Sequence, residues 1–136
     1  MRKICIFWLV LCLAGNAWAD LTIRKGGSLW ATVESGGTIR IGGTMVGEFE
    51  SNGAVRKAGS LVGEVESGGN VRKSGSLYGQ LEKSGYLRVG GSLVGQIESG
   101  GTIRKNGSMW GSAEGLSSFE DMRKVTAVLM FFSDEF

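Results

Sequence analysis

The sequence predicts an all-β protein, a radial meander of sixteen-residue β-hairpin repeats with a short C-terminal helix or strand packed on it. Three observations support this prediction. The motif "AVRKAGSLVGEVESGG" of residues 54–69 recurs in six copies, without insertions, from Thr22 to about Gly115. Glycine recurs at two fixed positions in the copies, and polar and apolar residues alternate between them. One such hairpin cannot bury its apolar face alone, but several around a common axis can.

The chain divides into three segments. Residues 1–19 are predicted to be a signal peptide. Residues 20–115 form the β-hairpin repeat domain, in which the last of the six copies is truncated. Residues 116–136 break the repeat and are predicted to be a C-terminal capping segment.

The first segment has the features of an export signal. Arg2 and Lys3 are basic, residues 4–14 are mostly apolar, and Ala17 and Ala19 supply the small residues of a cleavage site. The apolar run is shorter than the roughly 20 residues that span a bilayer. We therefore expect cleavage before Asp20, a periplasmic or extracellular location, and no transmembrane span after cleavage.

Composition excludes several chemistries from the mature chain. Cys5 and Cys12 would leave with the signal, and the sequence contains no histidine. Thiol nucleophiles, Ser-His triads and ordinary zinc sites therefore have no residues to form them. We predict that the protein is not an enzyme, with no catalytic residues, no cofactor and no metal ion.

The charge balance bears on partners. The chain has 15 Lys and Arg and 13 Asp and Glu, and loss of Arg2 and Lys3 leaves 13 of each. A neutral chain lacks the basic surface that nucleic acids attract, so we expect no nucleic-acid partner.

The glycine spacing predicts two three-residue hairpin loops in each copy. A loop of residues 67–69 places Val65 opposite Val71 and puts Gly69 in the left-handed position that such loops require. By the same rule, a loop of residues 57–59 would pair Val55 with Leu61. The chain would then alternate short strands with longer ones.

This register assigns faces to the strands. Val55, Leu61 and Val65 would point inward with Gly63, giving three apolar residues per copy, whereas Val62 would point outward. A glycine in mid-strand marks the close approach of another backbone. We therefore expect the long strands to converge around an axis, with these glycines at the narrow point.

The repeat string "G-x-φ-R-K-x-G-S-φ-φ-G-x-φ-E-S-G-G", where φ is apolar, resembles the bacterial β-flower repeat proteins of the four-fold and five-fold families. The copies "GAVRKAGSLVGEVESGG" and "GTIRKNGSMWGSAEG" match that pattern at the glycines, the arginine and the apolar positions, over roughly Ile23 to Gly115. The resemblance implies a radial fold of hairpin petals and implies no activity. This chain has nearly six copies, so the number of petals stays open. A one-sheet β-solenoid and a MORN-type hairpin ribbon are the alternative folds.

Two ladders of repeated side chains are candidate ligand or partner surfaces. The first is a ladder of arginines, which the register places on the outer face opposite Glu64, Glu48 or their equivalents. It would either bind an anionic ligand or glycan, or form solvated cross-strand pairs worth roughly 0.2–1 kcal/mol each. Its members are Arg40, Arg56, Arg72, Arg88 and Arg104.

The second ladder is aromatic. Trp30, Tyr78 and Trp110 share one repeat position, which the predicted register puts on the outer face. Exposed aromatic residues can form an interface or a sugar-stacking platform. The alternative is a second packing layer, covered by the tail or by a neighbouring subunit.

The tail favours a helix. Ser117 or Ser118 can cap it, and apolar residues recur at spacings of three or four. These residues are Phe119, Met122, Val125, Leu129 and Phe132. A strand over residues 125–132 is the alternative. We expect the segment to bury its apolar side chains against the β-body; otherwise it would be a docking element.

The sequence therefore leads to two functional hypotheses. The first is an exported, non-catalytic structural or interaction protein built on a rigid β-repeat scaffold. The second is an envelope or extracellular binding module for a glycan or a small anionic ligand. The partner, an unknown protein or glycan, and the oligomeric state stay open.

Overall fold

A computed structural model describes residues 20–136, which form a closed barrel of twelve antiparallel strands with one helix. The predicted signal peptide lies outside the described residues. The strands are β1 (Leu21–Lys25), β2 (Ser28–Val33), β3 (Thr38–Ile41), β4 (Thr44–Phe49), β5 (Ala54–Lys57), β6 (Ser60–Val65), β7 (Asn70–Lys73), β8 (Ser76–Leu81), β9 (Tyr86–Val89), β10 (Ser92–Ile97), β11 (Thr102–Lys105) and β12 (Ser108–Glu114), and the helix is α1 (Phe119–Phe132).

Six hairpins form a complete ring. Hairpins 1 to 6 are the pairs β1–β2, β3–β4, β5–β6, β7–β8, β9–β10 and β11–β12. The ring closes between hairpins 6 and 1, where Thr22 lies opposite Glu114 and Ile23 opposite Ala113. Closure leaves no strand edge open to pairing with another chain. The number of petals, which the sequence left open, is six.

Three-residue loops join consecutive hairpins at one end of the barrel, here called the loop end. The predicted register is confirmed there: Val65 lies opposite Val71, and the Gly69 amide donates to the Glu66 carbonyl at 2.8 Å. Gly53, Gly69 and Gly85 have φ angles of 96°, 104° and 98°, as a left-handed third loop position requires.

The opposite end, here called the turn end, has a different turn from the one predicted. Arg56 lies opposite Leu61 and Lys57 opposite Ser60, so the turn within hairpin 3 contains two residues and not three. Ala58 (φ 52°) and Gly59 (φ 87°) form it, and two consecutive left-handed residues are typical of a type I′ turn. A β-bulge next to this turn shifts the pairing by one residue, so that Val55 lies opposite Gly63 and Val62 has no partner in the ladder.

The bulge changes which side chains face the core. The predicted inward position of Leu61 and its equivalents is wrong: six leucine and methionine side chains point outward and are 50–67% exposed. The inner wall instead holds two apolar residues per hairpin, each at most 4% exposed. The two inner layers are Ile23, Ile39, Val55, Val71, Leu87 and Ile103, and Val33, Phe49, Val65, Leu81, Ile97 and Ala113.

The predicted C-terminal helix is confirmed. The hydroxyl of Ser118 accepts a hydrogen bond from the Asp121 amide at 3.2 Å and caps α1. Val125 and Leu129 are fully buried, while Phe119, Met122 and Phe132 are partly buried.

The helix lies inside the barrel. All six residues from Val125 to Met130 are at most 1% exposed, and a helix buried on every side must be enclosed. Phe119 approaches Gly69 near the loop end. Beyond the midpoint, the Phe131 and Phe132 rings press on the mid-strand glycines of hairpins 3 and 2. The long strands therefore do not converge on the axis, because α1 occupies it.

Candidate binding surfaces

The arginine ladder forms a ring of ion pairs on the outer face. The predicted backbone register holds, with Arg72 opposite Glu64 and Arg56 opposite Glu48. Each arginine side chain nevertheless reaches diagonally toward the loop end. There it contacts the glutamate at the end of the long strand of the preceding hairpin. The pairs are Arg40–Glu34, Arg56–Glu50, Arg72–Glu66, Arg88–Glu82 and Arg104–Glu98, with Nε–Oε2 distances of 2.5–2.7 Å, and Arg24–Glu114 at 3.1 Å.

These pairs fix the arginine side chains without creating a positive surface. The hydrogen bond from Arg72 holds the pKa of Glu66 below its usual value. Arg56 and Arg104 also donate through Nη1 to the carbonyls of Gly59 and Gly107, both at 3.5 Å. Half-exposed pairs of this kind stabilise a fold by at most about 1 kcal/mol each. The ring therefore offers oriented donors and acceptors around a neutral belt.

The aromatic ladder lies elsewhere than predicted. The β-bulge breaks the alternation of faces, so this repeat position turns toward the interior at the turn end. Trp110 is 9% exposed, its Nε1 donates to Glu135 Oε1 at 2.8 Å, and Trp30 packs edge-on against it at 5.7 Å between ring centres. The Tyr78 hydroxyl donates to the carbonyl of Phe136 at 2.9 Å. Trp110 and Tyr78 therefore hold the C-terminal residues in the barrel mouth, and Trp30 packs against Trp110.

Lysines complete the same mouth. Lys73 Nζ lies 3.8 Å from the centre of the Tyr78 ring and 5.3 Å from that of Phe131. Burial, together with the charge of Lys57, lowers the pKa of Lys73. Lys25 pairs with Glu135, and this hydrogen bond lowers the pKa of Glu135. The mouth is thus closed by cation–aromatic contacts and one ion pair.

Six outward leucine and methionine side chains form a second belt, here called the apolar ring. Each lies two residues beyond a type I′ turn, so the ring encircles the barrel near the turn end. Its members are Leu29, Met45, Leu61, Leu77, Leu93 and Met109. The sequence reasoning missed this surface because it assigned the same residues to the core.

Within residues 20–136, the sequence reasoning also missed one exposed aromatic residue. Tyr86 lies on the outer face of a short strand, is 37% exposed, and faces Gln96 across the hairpin. The equivalent positions carry Thr22, Thr38, Ala54, Asn70 and Thr102. The sequence could have indicated this site, because Tyr86 is the one aromatic residue at a repeat position that small or polar side chains otherwise fill.

Within residues 20–136, no helix is long and apolar enough to cross a membrane. That part of the chain also brings together no group of three or more carboxylates suited to a metal ion.

Comparison of the chain with family profiles, with curated proteins and with solved structures finds no match.

Proposed function

We propose that the mature chain is an exported, non-catalytic interaction scaffold that presents the apolar ring to a protein partner. One observation carries this proposal: a leucine or methionine side chain is exposed at the same repeat position in all six hairpins. These six side chains lie at one level of the barrel and are not scattered singly, and apolar groups that recur in this way on a surface can mark an interaction site. The barrel interior is filled by α1, so the outer face is the surface on which a partner can bind.

The geometry indicates what kind of partner would fit. Paired strands lie about 4.8 Å apart, so equivalent side chains two strands away are at least about 10 Å apart around the barrel. Because the arginine ring is neutralised by its glutamates, attraction through net charge contributes little. A protein with an uncharged, apolar surface that contacts several adjacent hairpins would meet these conditions.

A ring variant tests the scaffold. The triple change Leu61→Ser, Leu77→Ser and Leu93→Ser removes three adjacent members of the apolar ring. A control carries Ser35→Ala, Ser67→Ala and Ser99→Ala in exposed loop-end positions. The immobilised native protein should retain a partner from envelope extract, and the purified partner should bind the control but not the ring variant. Equal binding to both variants, or no partner at all, would contradict the proposal.

Export is the second part of the proposal. The basic start, the apolar run and the small residues at 17 and 19 support a mature chain that begins at Asp20. Intact-mass measurement of periplasmic or secreted material should give the mass of residues 20–136. A mass that includes residues 1–19 would refute cleavage.

We also propose a relationship to the β-flower repeat proteins. The repeat motif supports it, and so does a closed ring in which each repeat supplies one hairpin. On this proposal, the present chain is a six-hairpin version.

A second function, a binding module for a small ligand, is favoured by one specific feature. The groove beside Tyr86 combines aromatic, amide and guanidinium groups.

A further inference from the structure

Grooves open between neighbouring hairpins near the turn end because the strands part there. The last cross-hairpin backbone bond between hairpins 5 and 6 runs from the Asn106 amide to the Val94 carbonyl, at 3.0 Å. Beyond that bond, Leu93 and the turn of hairpin 6 form the two walls of a groove. The repeat reproduces this construction between hairpins 2 and 3 and between hairpins 4 and 5.

The groove between hairpins 5 and 6, here called the Tyr86 groove, differs from its equivalents in size. Its volume is about 440 Å³, whereas the grooves lined by Met45 and by Leu77 measure about 260 and 210 Å³. Ligand sites for small molecules generally fall between roughly 300 and 1,000 Å³. Of these three grooves, only the Tyr86 groove reaches that range.

It also differs in chemistry. Tyr86, Gln96 and Arg104 lie side by side on three adjacent strands, because Gln96 faces Tyr86 on one side and Arg104 on the other. Asn106 adds a second amide at the turn. In the groove between hairpins 2 and 3 the same positions hold Thr38, Glu48, Arg56 and Ala58. Relative to that groove, the Tyr86 groove has an amide in place of a carboxylate and an aromatic ring in place of a small side chain. The groove between hairpins 4 and 5 shares the amide and the guanidinium, as Gln80 and Arg88, but has Asn70 at the position of Tyr86 and Gly90 at that of Asn106.

The guanidinium of Arg104 is held in a fixed orientation. Its Nε donates to Glu98 Oε2 at 2.7 Å and its Nη1 to the Gly107 carbonyl at 3.5 Å, which leaves Nη2 to donate to a ligand. Glu98 balances the charge of Arg104, so the groove does not select for anions. Amide groups both donate and accept hydrogen bonds, which matches hydroxyl groups that do the same.

We propose that the Tyr86 groove binds a neutral saccharide. The tyrosine ring and Leu93 supply an apolar platform for the face of a sugar ring. Gln96, Asn106 and Arg104 supply planar groups that hydrogen-bond to adjacent sugar hydroxyls. This inference deepens the binding-module function, and Leu93 is the one residue that its site shares with the apolar ring.

The internal repeat provides variants that should fold. Tyr86→Thr, Gln96→Glu and Asn106→Ala each install the residue found at the equivalent position of another hairpin. Thr38→Ala changes the residue equivalent to Tyr86, opposite Glu48 of the smaller groove between hairpins 2 and 3, and serves as the matched control. The triple serine variant of the apolar ring includes Leu93, so Leu61→Ser alone is the control that separates this test from the scaffold test.

Binding is measured by titrating the mature protein with a panel of neutral oligosaccharides made of glucose, galactose, mannose or N-acetylglucosamine units, monitored by backbone amide chemical shifts. We expect at least one of them to shift the amides of Gln96 and Asn106. Tyr86→Thr should weaken that binding by about tenfold or more, as loss of a central aromatic contact commonly does. Thr38→Ala and Leu61→Ser should leave it unchanged.

Three results would overturn the proposal: no oligosaccharide in the panel binds, the shifts fall outside the Tyr86 groove, or Tyr86→Thr binds as tightly as the native protein. None of these results bears on whether a protein partner binds the apolar ring.

Discussion

The loop end and the turn end of the barrel use glycine for different reasons. At the loop end, a Cβ atom on Gly69 would meet the Leu81 carbonyl, and φ is 104°. At the turn end, Gly59 has a φ of 87° but no neighbouring atom within 4 Å of the Cβ position. Packing and backbone conformation therefore both require glycine at the loop end, whereas conformation alone requires it at the turn end.

The difference indicates that the loop end contributes to the packing of the barrel, whereas the turns at the turn end tolerate sequence variation. The loop end joins consecutive hairpins, and Arg123 of α1 donates to the carbonyl of Val65 near it, at 2.6 Å. The turn end has open turns, in which Ala58, Ser74 and Asn106 replace the first glycine. Sequence variation in these turns therefore costs little in packing.

Removing the helix that connects the two ends should have the largest effect. Four large apolar side chains of α1 are buried to 1% exposure or less: Val125, Val128, Leu129 and Met130. Each contributes roughly 1.5–3 kcal/mol, and their sum is comparable with the 5–15 kcal/mol that typically stabilises a domain. Deleting residues 117–136 should therefore abolish cooperative thermal unfolding and promote association, measured by circular dichroism and light scattering. The surface variant Glu120→Ala is the control. A truncated chain that melts at the native temperature would show that the helix does not form the core.

Alanine substitutions compare the two ends directly. Gly69→Ala should destabilise by more than about 2 kcal/mol, because the left-handed penalty of about 1–2 kcal/mol adds to the overlap with Leu81. Gly59→Ala should cost only that left-handed penalty. Gly68→Ala, in a loop position with open space and no positive φ, should stay within about 0.5 kcal/mol. Urea denaturation ranks the three, and a Gly68→Ala variant that ranked first would contradict the loop geometry.

One substitution at the turn end is expected to increase stability, by less than the losses predicted above. Ala58 holds a left-handed conformation with φ of 52°, and asparagine adopts that region more readily. Ala58→Asn should stabilise the protein by about 0.5 kcal/mol, since Asn106 already occupies the equivalent position in hairpin 6. Ala54→Asn on the adjacent strand is the control. Loss of stability on Ala58→Asn would argue against a type I′ turn.

The smallest expected effect is a pH dependence at the turn-end mouth. Hydrogen bonds from Lys25 and Trp110 lower the pKa of Glu135 in the folded protein. Because the pKa is lower in the folded protein, the ionised carboxylate stabilises the fold at pH values above the unfolded pKa, roughly 4.3. This contribution is lost as the pH falls through the folded pKa. Glu135→Gln should therefore lower the melting temperature slightly near neutral pH and not near about pH 2. A difference that persists in acid would mean that charge is not its cause.

Much of the fold could be predicted from the repeat. The three-residue loops, the left-handed glycines and the backbone register of the arginines all follow from fixed spacings around Gly69 and its equivalents. Helix α1 follows from Ser118 and the apolar spacing. The number of hairpins in the ring could not be predicted, because closure depends on how the first strand meets the last, as Thr22 meets Glu114.

The main error arose at one turn. Pairing Val55 with Leu61 satisfied the rule that apolar residues face one another, but it ignored the Asn106-Gly107 and Gly42-Gly43 pairs, which favour a two-residue type I′ turn. The resulting bulge reverses the faces of Leu61 and Val62. For this reason the sequence placed the apolar ring inside and the aromatic ladder outside.

The burial of α1 within the barrel is tested most directly by thiol labelling. Cys5 and Cys12 both precede residue 20, so the chain of residues 20–136 has no cysteine and is ready for single-cysteine variants. Leu61→Cys and Val128→Cys are treated with a maleimide under native conditions, and labelling is followed by mass spectrometry. An enclosed helix predicts rapid labelling at position 61 and none at position 128 until the protein is unfolded. Equal labelling rates at the two positions would show that the helix is not enclosed by the barrel.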